Sequence, residues 1–401
     1  MTKMTKAVAA AVLAMGASAA QAGITIPAGD WTIDIGGNVN AYYTHTTFGG
    51  DLESKVDGVA TSESANMVST GLLPSALGIG GKTRQNDLDI SFQFTFFTGV
   101  NPEQDSTGSF ASRGNGLNSL NIRQTFLTFG DKSWGTIKMG RDLGVFGSDA
   151  ILSDMTLLGV GTGAGGGGNS TLGRIGSGYL YADWVGQIQY ASPNWNGFSF
   201  AAAVREPWGN TDNSDLGFDA KASYEWGGDV AGKVWVGTLY QKIDNGLTAA
   251  AHKEMRADAW EIGGKVSVGA FGLVGYYYDG KNMGSPMMGV NNNTPLTGLN
   301  IANLGNKDHD VDGGYVQATF TAPFGTKFGV SWGESNYDKN STNVGGGDFT
   351  SEAWVIGAYH PLTKSLNLVA EYTDTQYDNI NLNKTIDGDA KTLALGAILF
   401  F

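Results

Sequence analysis

Leu393-Ala394-Leu395-Gly396-Ala397-Ile398-Leu399-Phe400-Phe401 closes the chain. Leu393, Leu395, Ala397, Leu399 and Phe401 occupy every second position, so an extended backbone gathers them on one face and ends on an aromatic ring. A soluble protein seldom leaves such an apolar edge open, because it invites pairing with other chains. A transmembrane β-barrel removes the edge by pairing its last strand with its first, and there lipid-facing side chains alternate with lumen-facing ones. The same alternation recurs upstream. In 31–47, Ile33, Ile35, Val39, Ala41 and Tyr43 share one face, and Thr32, Asp34, Asn38 and Asn40 share the other. In 86–98, Leu88, Ile90, Phe92, Phe94 and Phe96 oppose Asp87, Asp89, Ser91, Gln93 and Thr95.

Near the start, Lys3 and Lys6 precede the apolar run 7–15, and Ala20-Gln21-Ala22 follows. A charged segment, a short apolar stretch and an A-x-A site read as a secretory signal over 1–22, with the barrel domain over 23–401. The run is too short for a transmembrane helix, which needs about 20 apolar residues. The formal charge is −13 and no basic patch interleaved with aromatics is present, which argues against a nucleic-acid partner. Cysteine is absent, so the chain has no disulfide framework and no thiolate metal site. Ordinary hydrophobic content suits a barrel, where only alternate residues need be apolar.

Further alternating segments fall near 119–129, 134–141, 179–191, 197–206, 215–227, 231–242, 257–269, 271–281, 310–322, 326–337, 350–360, 364–376 and 388–401. With the first two they make an odd number, whereas a single-chain bacterial barrel needs an even one. Short periplasmic turns must alternate with long external loops. Residues 130–133 form a tight turn, so 99–118 is external and 86–98 runs outward. That requires a turn at 82–85 and an inward-running strand at 66–81. The expectation is an all-β, transmembrane antiparallel barrel of about sixteen strands, eighteen being the main alternative. Aromatics near strand ends (Trp31, Tyr42, Tyr43, Tyr179, Tyr181, Trp226, Tyr276 to Tyr278, Trp354, Tyr372) are expected to form interfacial girdles.

Several motifs now bear on family. Arg123-Gln124-Thr125-Phe126 followed by Gly135 and Gly140-Arg141, then Tyr190-Ala191-Ser192-Pro193 with Gly197-Phe198, and Gly357-Ala358-Tyr359 with Leu362-Thr363-Lys364 and Phe401, resemble Gram-negative general diffusion porins of the neisserial and β-proteobacterial type. Ser75 to Gln93 resembles the second hairpin of that family. The resemblance implies an outer-membrane homotrimer, surrounded by lipid, whose water-filled channels pass small hydrophilic solutes and ions. It implies that Phe401 is an assembly signal read by the outer-membrane insertion machinery. It also implies that the long connection 142–178 folds inward and narrows the pore. That loop would set Asp142, Asp149 and Asp154 against Arg123 and Lys138 on the wall, with Arg141 at its base, and such a transverse field sorts solutes by charge. Ala76 and Gln189 stand where the family usually has basic residues, and Ile398 and Phe400 occupy inward positions of the last strand. With seven acids balancing seven bases on the inferred lumen wall and acidic loops outside, the expectation is a weak cation preference.

Asp308-x-Asp310-x-Asp312-Gly313 matches the first half of a calcium loop but lacks the closing glutamate, Thr319 standing there; a weak Ca²⁺ site is its functional reading, and no other cofactor is implied. Gly161-x-Gly163-x-x-Gly166 lacks the βαβ context of a dinucleotide fingerprint. The four histidines lie on separate segments, with no H-E-x-x-H and no G-x-S-x-G, so no enzyme is indicated. The alternatives are a channel specific for a sugar or carboxylate, and a secreted soluble β-protein that binds glycans.

Overall fold

A computed structural model describes residues 23–50, 52, 63–100, 120–164, 170–207, 215–244, 254–283, 310–338, 349–378 and 387–401. The expected signal at 1–22 lies outside them. The strands are β1 (Ile24–Ala28), β2 (Trp31–Gly50), β3 (Ser64–Ser69), β4 (Ser75–Gln85), β5 (Leu88–Thr98), β6 (Asn121–Asp131), β7 (Gly135–Leu143), β8 (Trp184–Ala191), β9 (Phe198–Arg205), β10 (Gly217–Trp226), β11 (Val230–Asp244), β12 (Glu254–Val268), β13 (Phe271–Lys281), β14 (Asp310–Thr321), β15 (Lys327–Asp338), β16 (Phe349–Pro361), β17 (Leu366–Asp378) and β18 (Gly388–Phe400). No described helix is long and apolar enough to cross a membrane.

Every pairing of neighbouring strands is antiparallel, and β18 closes the sheet on β2, with Leu395 opposite Tyr43 and Phe400 opposite Asn38. The barrel has sixteen staves plus two extra strands. β3 and β4 lie on the same flank of β2, one beside its upper half and one beside its lower half. β1 pairs with 31–35 of β2 on the opposite flank, in line with the end of β18. There Phe401 exchanges two backbone hydrogen bonds with Gly37, of 2.8 and 3.1 Å.

The alternation assigns faces as expected. On β2, Asn38, Asn40, Tyr42, Thr44 and Thr46 are buried inward while Val39 and Tyr43 are exposed outward. On β5, Gln93 and Thr95 turn in and Phe94 turns out. The turn between β4 and β5 is only Asn86-Asp87, both with positive φ (48° and 63°), the type I′ geometry that matches strand twist.

Four expectations need correction. The single strand at 66–81 is two strands, because 70–74 leaves the sheet. Pro74 has no N–H to give the ladder, and the Asn40 side chain fills the gap. Asn40 accepts from the Gly71 N–H (3.0 Å) and donates to the Leu73 carbonyl (2.8 Å). The strand at 179–191 begins only at Trp184, so the long connection runs over 144–183 rather than 142–178. β1 was not expected at all. Finally, Tyr42, Tyr179, Tyr181, Tyr276 and Tyr278 are buried inside the barrel, not in an interfacial girdle. Trp354, Tyr43, Tyr277 and Tyr372 do face outward.

Candidate pore constriction

Residues 144–164 and 170–183 turn into the barrel and cross it. The first part carries a short helix, α1 (Ser148–Ser153), and a 3-10 turn at Met155–Leu158. Its entry is fixed by polar contacts to the wall. Gly147 donates its N–H to Glu261 of β12 (2.9 Å), and Tyr276 of β13 donates to the same carboxylate (2.8 Å). Asp149 takes two ion pairs, from Lys221 of β10 (2.6 Å) and Lys233 of β11 (2.5 Å). Burial alone would raise the Asp149 carboxyl, but the two lysines outweigh it and hold it well below the usual carboxylate range. Tyr315 of β14 donates to the Ala150 carbonyl, and Gln317 bridges Ser153 and Met155.

The loop then reaches the opposite wall. Tyr42 of β2 donates to the Leu158 carbonyl (2.7 Å). Val160 and Gly161 both donate N–H groups to Glu371 of β17 (2.7 and 2.9 Å), which also accepts from Tyr359 of β16 (2.5 Å). The approach depends on glycine: a Cβ on Gly159 would lie 1.9 Å from a Glu371 oxygen. The inward segment 70–74 clamps the loop from its own side, through Leu72 N–H to Gly159 O and Thr171 N–H to Gly71 O. On the way back, Arg174 donates to the Ala353 carbonyl and Gly178 to Ser335.

Apolar packing completes the seat. Phe146, Ile151, Tyr179 and Leu180 pack with Trp235, Leu239, Tyr276 and Tyr315. Met155 and Val160 pack with Val355, Tyr359, Val369, Ile398 and Phe400. The inward apolar residues of the last strand are therefore the floor on which the loop rests. Burial of these side chains, at about 25 cal/mol per Å², makes the inward position of the loop part of the folded state.

The charged residues named from sequence are distributed as follows. Asp142 sits on β7 and forms an ion pair with Lys138, four residues back on the same strand, while also accepting from Gln124 (2.9 Å). Asp154 caps the 3-10 turn, accepting from the Thr156 N–H (2.9 Å) and from Tyr179 (2.8 Å). Arg123 is buried, with its guanidinium 5.0 Å above the Phe97 ring. A register shift between β5 and β6 falls at this residue, so that Gln124 opposes Thr95 and Ile122 opposes Phe96. A bulge of this kind re-aims a side chain, and here Arg123 and Gln124 are both buried. Arg141 is half-buried at the base of the loop. Asp149, Lys221 and Lys233 thus meet across the lumen as a group, whereas Asp142 and Asp154 are engaged at separate places.

Sequence reasoning missed the carboxylates Glu261 and Glu371 as loop anchors. Inward parity was their only signal. Asp308 lies outside the described residues. Asp310 and Asp312 lie on a strand, β14, rather than in a loop, and Asp310 faces Lys281 at 3.6 Å. Among the described residues no group of His, Asp or Glu is arranged to hold a metal ion.

A family model described as Gram-negative porin matches residues 7–380. No curated protein matches the sequence. Solved structures of similar fold include the anion-selective porin from Comamonas acidovorans (14% identity, 92% of this chain and 100% of that one, TM-score 0.61). They also include the outer-membrane channel DcaP of Acinetobacter baumannii (15%, 95% and 100%, TM-score 0.63) and Salmonella typhi OmpF in complex with daunomycin (17%, 94% and 100%, TM-score 0.62).

Proposed function

The chain belongs to the Gram-negative porin family and forms an outer-membrane channel, and from that premise we propose that it passes small hydrophilic solutes passively past loop 144–183, with a modest preference for anions. The observation that carries this reading is the engagement of the carboxylates on the loop and at its base. Asp149 is shared by two lysines, Asp142 is taken by Lys138, and Asp154 is held by Thr156 and Tyr179. Glu261 and Glu371 point their charge at backbone N–H groups of the loop. Lys221 and Lys233 balance Asp149 and Glu261 at this end of the loop, and Lys265 on β12, exposed and directly across from Lys233, leaves one net positive charge there. Fixed charge at a narrow, low-dielectric passage outweighs charge at the wide mouths, where salt screens within about 10 Å at 0.1 M. This reverses the cation preference expected from counting loop charges.

Reversal potentials in a KCl gradient test it. We expect anion preference that weakens in Lys265→Glu; cation preference in the wild type would reject the reading. A carboxylate-specific channel is the second reading, favoured by the same lysine group, and carboxylates that block KCl current at low concentration would support it over general diffusion.

The proposal extends to assembly as a homotrimer, with Phe401 as the terminal signal. Deleting Phe401 also removes its two hydrogen bonds to Gly37. The variant is expected to lose most of the heat-modifiable, oligomeric band on gels, and a band of normal intensity would argue against this role.

A further inference from the structure

The stave made of β3 and β4 is interrupted by an insertion. Ser69 pairs with Tyr42, and Ala76 pairs with Asn38. Between those pairs β2 has three residues, 39–41, while its neighbour has six, 70–75. The surplus turns inward, and Thr70, Leu72 and Leu73 are buried. An insertion of this kind gives up ladder hydrogen bonds in order to re-aim the chain. Asn40, 1% exposed, replaces those bonds from β2 by accepting from the Gly71 N–H and donating to the Leu73 carbonyl. Its amide also donates to Asn38, at 2.9 Å.

The inserted segment meets both limbs of the constriction loop. Leu72 donates its N–H to Gly159 on the outgoing limb (2.9 Å), and the Gly71 carbonyl accepts from Thr171 on the returning limb (3.2 Å). The limbs are laced to each other by Thr162 N–H to Gly173 O (2.8 Å) and Gly173 N–H to Val160 O (3.1 Å). Two leucines straddle them. Leu72 packs in the cluster of Ile151, Leu157 and Ile175, and Leu73 in that of Met155 and Val160. The layers touch: a Cβ on Gly71 would lie 2.0 Å from the Gly159 carbonyl oxygen, and one on Gly159 would lie 1.9 Å from a Glu371 oxygen. The far end of the loop is therefore gripped between segment 70–74 and the wall.

We infer that Asn40 is a positioning residue for the constriction: by holding 70–74 inward it seats the far end of the loop against Glu371, and a steady open channel depends on it. Asn40 acts through the segment, whereas Tyr42, the next inward residue of β2, donates to the loop directly at the Leu158 carbonyl. Without the Asn40 amide, a buried N–H and a buried carbonyl lose their partners, which favours conformations that take 70–74 away from the loop. The inference rests on the reading of the loop as the constriction and names a further residue that sets it.

Single-channel recordings of Asn40→Leu, and of Gly71→Ala as an independent variant, test it. Leucine is of similar size and offers neither group. Alanine keeps every hydrogen-bonding group of the segment and pushes against Gly159. Gly71 is not among the glycines with positive φ, so its backbone accepts alanine. Both variants are expected to keep heat-modifiable migration and to show brief current transitions about tenfold more often than the wild type, the scale of one or two net hydrogen bonds. In a chain whose residues 148–177 are replaced by a short glycine-serine link, the same substitutions are expected to change nothing, because no loop end is left to seat. Steady, wild-type currents from either variant once assembled would overturn the inference. So would equal disturbance with and without the loop, which would place the effect in the barrel wall. A shortened chain that conducts like the wild type would reject the constriction reading itself, and this inference with it.

Discussion

Asp219→Ala is expected to cost about 3–5 kcal/mol in unfolding free energy, the penalty for leaving one member of a buried ion pair unpaired. Asp219 on β10 and Arg205 on β9 meet at 2.6 Å, and both side chains are 0% exposed. Arg205 also reaches Gln241 on β11 at 3.0 Å, so the pair ties three staves together where the loop enters. Asp219 further accepts the Phe146 N–H at 3.4 Å, the first link between loop and wall. Without the carboxylate, the guanidinium keeps its burial and loses its counter-charge. Denaturant unfolding of the refolded barrel in detergent measures the loss. The double variant Asp219→Leu with Arg205→Met is expected to recover most of it, because replacing a whole buried pair by apolar groups is often neutral or better. A single-variant cost below about 1 kcal/mol, the range of an exposed pair, would show that the pair is hydrated.

Ile188→Arg is expected to cost about 2–4 kcal/mol, against little for Gln189→Arg. These neighbours on β8 point to opposite faces. Ile188 is 54% exposed on the outer face, level with Met139 and Val204 on adjacent strands. Gln189 is half-buried on the inner face, beside Lys138. An arginine at 188 must enter lipid, whereas one at 189 stays in the aqueous lumen. Refolding into lipid vesicles at graded denaturant separates the two. Equal costs would mean that the register of β8 is shifted by one residue, which would turn every side chain of the strand to the wrong face.

Much of the barrel was legible because its physics is local. Alternation in β5 and β18 needs only neighbouring residues, and the missing stave followed from turn lengths and parity. What failed was of two kinds. The break at 70–74 depends on Asn40, a residue some thirty positions away, lending its side chain to the ladder. Likewise Glu371 acquires its role from Val160 and Gly161, more than two hundred residues earlier in the chain, and no spacing in sequence announces such a contact. The tyrosines erred for a different reason. Tyr42 and Tyr43 are adjacent, so on a strand one of them must face inward; grouping both as a girdle set aside the parity rule that had placed the strands. The Tyr179-Leu180-Tyr181 run looks like a strand start, yet its side chains pack against α1 and the wall inside the lumen. The sequence carries no signal of which charges become partners. Lys221 and Lys233 lie more than seventy residues from Asp149 in the chain, and only the fold brings both to it.

The central claim is that loop 144–183 sits inside the barrel and sets the width and charge of the passage. Single-channel conductance of the wild type, compared with a variant whose residues 148–177 are replaced by a short glycine-serine link, tests it most directly, with heat-modifiable migration confirming that the variant barrel is closed. Removing a segment that crosses the lumen should raise conductance several-fold and abolish the ion preference. Unchanged conductance and selectivity in the shortened chain would contradict the account.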